Sequence, residues 1–208
     1  LYLKETGETL PEFARIAPQP SQYVSWYMSD HRKYVLNSPE EAAAASVVRT
    51  PLWNNRKHEK GPFDIIGDIH GCYDELLELL DKLGYVVGAD SVSHPQGRRL
   101  IFLGDLVDRG PKVPDVLRLC MTAVQSGTGF CVPGNHDVKL VKKLKGRDVR
   151  ITHGLAETLA QLESESEEFK QSISTFIDKL VSHLVLDEGR LVVAHAGLKE
   201  AYQGRSSG

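Results

Sequence analysis

Eight side chains in this sequence are of the kinds that hold hard divalent ions and handle phosphate, and they fall in four short stretches. Asp68 and His70 stand in Gly67-Asp68-Ile69-His70-Gly71, and Asp105, Asp108 and Arg109 stand in Gly104-Asp105-Leu106-Val107-Asp108-Arg109-Gly110. Asn135 and His136 stand in Gly134-Asn135-His136-Asp137, and His195 precedes Ala196-Gly197. Carboxylates, imidazoles and an amide carbonyl suit Mn²⁺ and similar ions, and two ions side by side need one carboxylate between them. The chemistry these residues could do is two-metal phosphoester hydrolysis.

Asp68 and His70 are two residues apart, so on an extended segment both side chains point the same way and can chelate one ion. Taken alone, Asp68 could equally cap a following helix, with His70 a surface loop residue. Asp105 sits after its apolar run as Asp68 does after its own, which makes it the natural bridge. Arg109 offers a planar fork of donors to phosphate oxygens, with Asn135 nearby in the same role. In isolation, Asp105, Asp108 and Arg109 also read as a solvated turn with a local ion pair. Asn135 and His136 are adjacent and cannot easily face one ion together. Asn135 is therefore the expected ligand, and His136 the acid that protonates the leaving oxygen, oriented by Asp108. His195 completes the second ion's shell, although alone it reads as a packed histidine.

These groups need strands that end at one rim. Phe63–Ile66, Leu100–Leu103, Gly129–Val132 and Leu191–Ala194 are brief apolar runs, and each ends just before one of the four stretches. Leu76, Leu77, Leu80 and Leu83, closed by Gly84, mark one helical face, and Val113, Val116, Leu117 and Cys120 mark another. Ser164 with Glu167 offers a capping box for a third helix, with Phe169, Ile173, Phe176, Ile177, Leu180 and Leu184 on its face. Strand and helix alternation predicts an α/β domain over 61–208 with its site beyond the strand ends.

Residues 1–60 read as an appendage and linker. Their prolines interrupt any long element, Tyr23, Trp26, Tyr27 and Tyr34 cluster beside His31, Arg32 and Lys33, a short helix opens at Ser38-Pro39, and Thr50 to Lys60 is polar. Leu1 in place of Met and the loop-like Gly204–Gly208 suggest a piece of a longer chain.

The 208 residues can bury one substantial core, and 25 basic against 28 acidic residues leave a formal charge of −3. No whole-chain field advertises nucleic acid or a membrane surface, and no apolar run is long enough to span a bilayer. Lys139, Lys142, Lys143, Lys145 and Arg147 form the one dense basic stretch, read either as a solvated face or as a guide for polyanions. Three cysteines, Cys72, Cys120 and Cys131, cannot all pair, which favours a reduced, cytoplasmic setting and structural roles. His58, His94, His153 and His183 receive no role.

The ordered set from Asp68 to His195 resembles the calcineurin-like metallophosphoesterases, in their phosphoprotein-phosphatase branch. The resemblance implies a two-sheet β-sandwich flanked by helices (α-β-β-α) and two divalent ions, Mn²⁺ foremost, with Ni²⁺, Fe or Zn²⁺ compatible. It implies that Asp68, His70 and Asp105 hold one ion, and that Asp105, Asn135 and His195 hold the other. His136 would be the acid paired with Asp108, and Arg109 the phosphate binder. No covalent phosphoenzyme is implied, since the ions activate a water.

Gly61–Ile66, Lys145-Gly146-Arg147, Thr152–Leu155 and Ala194–Glu200 are further similar to the phosphatase module of bacterial polynucleotide kinase-phosphatases, which repair RNA ends. Tyr34–Glu41 resembles the tail of that family's kinase part. This implies RNA 2′- or 3′-phosphates or cyclic phosphates as substrate, with kinase and ligase domains as neighbours in a longer chain. No Gly-x-x-x-x-Gly-Lys-Ser/Thr loop is present, so kinase activity is not expected of these residues. Asp137 stands where much of the branch has Glu. A downstream Gly-His that the family uses at the second ion does not occur before Gly208, so the second site is expected to be a ligand short. Serine/threonine phosphatase and symmetrical bis(5′-nucleosyl)-tetraphosphatase activities use the same ligand set and are the alternatives. A different class of role is a weakly active metal-binding or RNA-interaction module.

Overall fold

The computed structural model describes residues 54–204. Of the appendage and linker expected over 1–60, residues 1–53, with the aromatic cluster and the helix at Ser38, lie outside the described residues.

Three of the predicted apolar runs form strands of one parallel sheet. Strand β1 is Phe63–Ile66, and helix α1 (Tyr73–Lys82) follows it. Two short strands, β2 (Val86–Val87) and β3 (Val92–Ser93), pair antiparallel before β4 (Arg99–Phe102). Helix α2 is Val113–Gln125 and β5 is Gly129–Cys131. The sheet order is β1-β4-β5, with Ile65 opposite Ile101 and Ile101 opposite Phe130. Helices α3 (Asn135–Leu144), α4 (His153–Glu163) and α5 (Glu167–Asp178) come next, and β6 (His183–Leu186) and β7 (Leu191–Ala194) form an antiparallel pair.

Strand alternation divides the core in two. Leu100 and Phe102 point to the helices and join the larger cluster with Leu80, Leu117, Leu140 and Ile173. Ile101, between them, points the other way and packs with Val132, just past β5, and with Leu184, Leu186 and Val193 of the second sheet. Helices, first sheet and second sheet are successive layers of the expected sandwich. A central strand buried on both faces cannot alternate with polar residues, which is why Leu100–Leu103 reads as a continuous apolar run.

Two local expectations change. The helix expected to start at Ser164 starts at Glu167, where Ser166 Oγ accepts from Phe169 N; Ser164 instead ends α4 and donates to Gln161 O, and because the helix ends at Asp178, Leu180 and Leu184 lie beyond it, Leu184 in β6. The polar linker ending at Lys60 is, over its described part, tied to the domain. Asn55 bridges Val185 in parallel, Arg56 N donates to Val185 O, and Asn54 is buried with its Nδ2 on His183 Nε2. Gly204 N also donates to His183 Nε2, so the ring proton sits on Nδ1 beside Ser182 Oγ. Burial pushes the His183 pKa down, which preserves this neutral form.

Asp64 on β1 accepts from Arg98 through both carboxylate oxygens and from Tyr85 Oη at 2.8 Å. The Arg98 guanidinium holds its carboxyl below the usual range, aided by Tyr85 and opposed by partial burial. Its stabilisation is complete above the unfolded carboxylate value and is lost as pH falls through the lower folded value. Asp64→Asn is expected to cost about 1–3 kcal/mol in urea unfolding at pH 7. The difference from wild type is expected to shrink by pH 3; an equal difference at both pH values would refute this role.

Candidate active site

The four stretches converge at the carboxyl ends of β1, β4, β5 and β7. Backbone bonds make the first two loops one body: His70 N donates to Asp105 O at 2.9 Å, Gly71 N to Leu106 O at 2.9 Å and Gly110 N to His70 O at 2.8 Å. The third loop is pressed against them. A Cβ on Gly134 would lie 2.1 Å from Asp105 Oδ1, so only glycine permits that approach. Asp137 locks the junction, its buried carboxylate accepting Leu106 N at 2.9 Å and Gly134 N at 2.8 Å. Burial pushes the Asp137 pKa up to about 6 against the pull of those donors. Its role is therefore to hold loops, consistent with a side chain that is not itself a ligand.

Strain concentrates here. His70, Asp105, Asp108 and Arg109 all have positive φ, at 47°, 49°, 71° and 69°. Non-glycine residues adopt this conformation at a cost and keep it only where surrounding bonds over-determine it.

The donor atoms share one centre. Asp105 Oδ1 accepts His136 N at 3.0 Å, which leaves Oδ2 facing three imidazole Nε2 atoms: His195 at 3.5 Å, His70 at 3.7 Å and His136 at 3.9 Å. His70 Nδ1 donates to Val107 O and His195 Nδ1 to Leu103 O, both at 2.7 Å. Each of these two rings thus turns a lone pair on Nε2 inward, as metal-binding histidines do. Asp68 Oδ2 lies 4.0 Å from His70 Nε2, Asp68 Oδ1 lies 3.9 Å from His195 Nδ1, and Asn135 Oδ1 lies 3.2 Å from His195 Nε2.

This arrangement fits divalent ions. His70 Nε2 is buried without a hydrogen-bond partner, a state that costs free energy unless something binds there. Two groups of donors lie within 4.8 Å of one another, His70 with Asp105 and His136, and Asp68 with Asp105 and His195. Asp105 belongs to both, as a bridging carboxylate must. Asp68 is as near His195 as His70, so the distances do not assign it to one ion alone. When bound, such ions supply Lewis-acid activation of water and of phosphoryl oxygens.

His136 is placed differently from the other two histidines. Its Nδ1 donates to Asp108 Oδ2 at 2.6 Å, a carboxylate rather than a carbonyl. Asp108 is 1% exposed, and its Oδ1 accepts from Thr158 Oγ1 at 2.8 Å while its own N donates to that hydroxyl at 3.0 Å. Gln161, one turn on, accepts from Val113 N and donates to Gly110 O. Helix α4 therefore clamps the loop that carries Asp105, Asp108 and Arg109. Neither α4 nor Thr158 was anticipated; the available signal was a lone Thr in the Leu155–Leu159–Leu162 stripe, where a buried hydroxyl needs a partner. Arg109 is exposed and makes no hydrogen bond or ion pair among the described residues. The structure places it on the rim without drawing it to the donor cluster.

A family model described as calcineurin-like phosphoesterase matches residues 61–206, which hold every residue of this cluster. The chain belongs to that family. It is a metallophosphoesterase, and the fold and enzyme class implied by its motifs stand. Among its relatives, the asymmetrical bis(5′-nucleosyl)-tetraphosphatase PrpE of Anoxybacillus flavithermus is 46% identical over 149 residues, 70% of this chain and 61% of that protein. PrpE of Bacillus subtilis is 47% identical over 141 residues, 66% of this chain and 58% of that protein. The chain thus spans about three-fifths of the length of the curated relatives it matches. A crystal structure of a protein proposed to be a diadenosine tetraphosphatase aligns with TM-score 0.50 and 28% identity, over 69% of this chain and 54% of that one. A cold-active protein tyrosine phosphatase, at TM-score 0.52 and 22% identity over 73% of this chain and 45% of its own, shares the fold.

These relatives correct one expectation. The motif segments around the site suggested polynucleotide kinase-phosphatases and RNA end repair, whereas the curated relatives named above are asymmetrical tetraphosphatases. Segments such as Ala194–Glu200 and Thr152–Leu155 build the strand end and the clamp helix, so they follow the shared site and not the substrate. No helix among the described residues is long and apolar enough to cross a membrane. Cys72, Cys120 and Cys131 are free, and burial pushes the thiols of Cys120 and Cys131 well up, as structural cysteines require.

Proposed function

We propose that this chain hydrolyses dinucleoside polyphosphates asymmetrically, using two divalent ions, Mn²⁺ foremost, held by Asp68, His70, Asp105, Asn135 and His195. The observation that carries the substrate reading is the 46–47% identity to asymmetrical tetraphosphatases. The set of donors in the site supports the reaction type, because metals and imidazoles see only the phosphate. Water adds to one phosphorus, the bridging P–O bond breaks, and the leaving phosphate oxygen takes its proton from His136 Nε2. Asp108 holds that ring through Nδ1, and Arg109 and Asn135 face the phosphoryl oxygens. Free thiols and the lack of a spanning helix among the described residues support a reduced cytoplasmic setting.

The products test the reading. Asymmetric cleavage of diadenosine tetraphosphate yields ATP and AMP, symmetric cleavage two ADP, and chromatography separates the cases. ATP and AMP in equal amounts are expected. Turnover of p-nitrophenyl phosphate without cleavage of the dinucleotide would leave a phosphoesterase and refute the substrate.

Thr158 is proposed as a positioning residue. Thr158→Val removes the hydroxyl that fixes Asp108 and leaves a buried carboxylate oxygen unmet, a loss of about 1–3 kcal/mol at that contact. The kcat for an alkyl phosphate is expected to fall about tenfold, with KM little changed and with a smaller loss on p-nitrophenyl phosphate, whose leaving group needs no proton. Thr158→Ser is expected to restore the rate. Equal losses on both substrates would show a merely structural role.

A further inference from the structure

The basic stretch after His136 acquires a definite setting in the fold. Helix α3 packs against α5, and between them lies a cleft of about 220 Å³. Val138, Val141, Ile177 and Leu180 supply apolar walls, and Lys142 and Arg147 stand at its edge. Lys145 is also there, but its Nζ is held by Asp178 at 2.6 Å, which neutralises the one carboxylate in the cleft. Lys142 and Arg147 have no ion-pair partner among the described residues. The cleft is thus lined by apolar side chains together with two cations that have no ion-pair partner among the described residues.

Its position relative to the donor cluster follows from helix geometry. Pro133, which also lines the cleft, is two residues before Asn135. Val138 and Lys142 are three and seven residues after Asn135, hence on the same side of α3. Asn135 Oδ1 meets His195 at the start of this face, and Lys145 lies about 15 Å further along at the helical rise per residue. One face of one helix therefore runs from the metal-ligand cluster into an apolar cleft with a cationic edge. A planar ring needs apolar walls, and the phosphate chain attached to it needs cations with no carboxylate partner of their own.

We infer that the α3–α5 cleft is the subsite for the nucleoside end of the substrate remote from the scissile phosphate, with Lys142 and Arg147 holding the intervening phosphates. This rests on the dinucleoside polyphosphate reading above. Simple phosphomonoesters have no group to place there.

The test uses the full chain. Diadenosine tetraphosphate is titrated calorimetrically in EDTA into wild type, Val138→Trp and the double variant Lys142→Glu/Arg147→Glu. Val138 is 38% exposed and the other two are surface residues, so the fold tolerates both changes. Both variants are expected to bind about tenfold more weakly, a charge-assisted or ring contact of ordinary size. With Mn²⁺, KM for the dinucleotide is expected to rise while turnover of p-nitrophenyl phosphate is unchanged. Equal affinity in wild type and either variant overturns the subsite. A wild type that binds the dinucleotide but releases no nucleotide from it refutes the proposed reaction, while the variant comparison still decides the cleft.

Discussion

Asp105→Ala is expected to abolish Mn²⁺-dependent hydrolysis of p-nitrophenyl phosphate, lowering kcat/KM by about 10⁴-fold, equivalent to ~5 kcal/mol of transition-state stabilisation. The reason is the position of one oxygen. Asp105 Oδ2 faces the Nε2 atoms of His195, His70 and His136 at 3.5, 3.7 and 3.9 Å, so it is common to both donor groups. Removing it would take a donor from both groups at once, whereas Asp68 or Asn135 would each be missed less. Metal content measured after gel filtration is expected to fall with the activity. Asp105→Asn separates binding from folding, because its amide oxygen can still accept His136 N in place of Oδ1, a bond now 3.0 Å long. In EDTA that variant is expected to unfold no earlier than wild type, since it removes a negative charge from a buried site that lacks its cations. Retained metal and activity in both variants would end the binuclear reading.

His136→Asn is expected to have the second largest effect, and the effect depends on the leaving group. His136 is the one histidine of the cluster whose Nδ1 hydrogen-bonds to a carboxylate, Asp108 Oδ2 at 2.6 Å, a partner that orients the ring. A positioned acid contributes about 10²–10⁴-fold where the leaving oxygen is a poor one. Hydrolysis of an alkyl phosphate is expected to fall by that factor, and that of p-nitrophenyl phosphate by about tenfold at most. Asp108→Asn is expected to follow the same pattern, as the ring loses the carboxylate that orients it. A uniform loss on both substrates, together with loss of bound metal, would instead make His136 a ligand, as its 3.9 Å approach to Asp105 Oδ2 also permits.

Much of this site could be read along the chain because each motif is local. Asp68 with His70, and Asp105 with Asp108 and Arg109, are set by short loops directly after apolar strands, and β1, β4, β5 and β7 form where those runs predict. The glycines flanking them announce the positive φ and close approach that such loops need, as Gly104 and Gly134 show. What the local pattern could not reveal is which distant residue meets a buried group. Thr158 reaches Asp108 across fifty positions, Asn54 reaches His183 across 129, and Asp137 joins two loops instead of merely keeping a charge.

The residue types and their order along the chain were sufficient to place it among the metallophosphoesterases and to nominate its hard-ion donors, with Asp105 as candidate bridge and His136 as candidate acid. Their convergence on Asp105, the clamp of α4 and the cleft beside Lys142 and Arg147 were decided by tertiary packing. The physical reason is that ligand identity is a property of single side chains, whereas burial, orphaned polar atoms and free cations exist only once remote segments exclude water from one another. Substrate choice belongs to the second kind, because metals recognise phosphate alone and the walls around them recognise the rest.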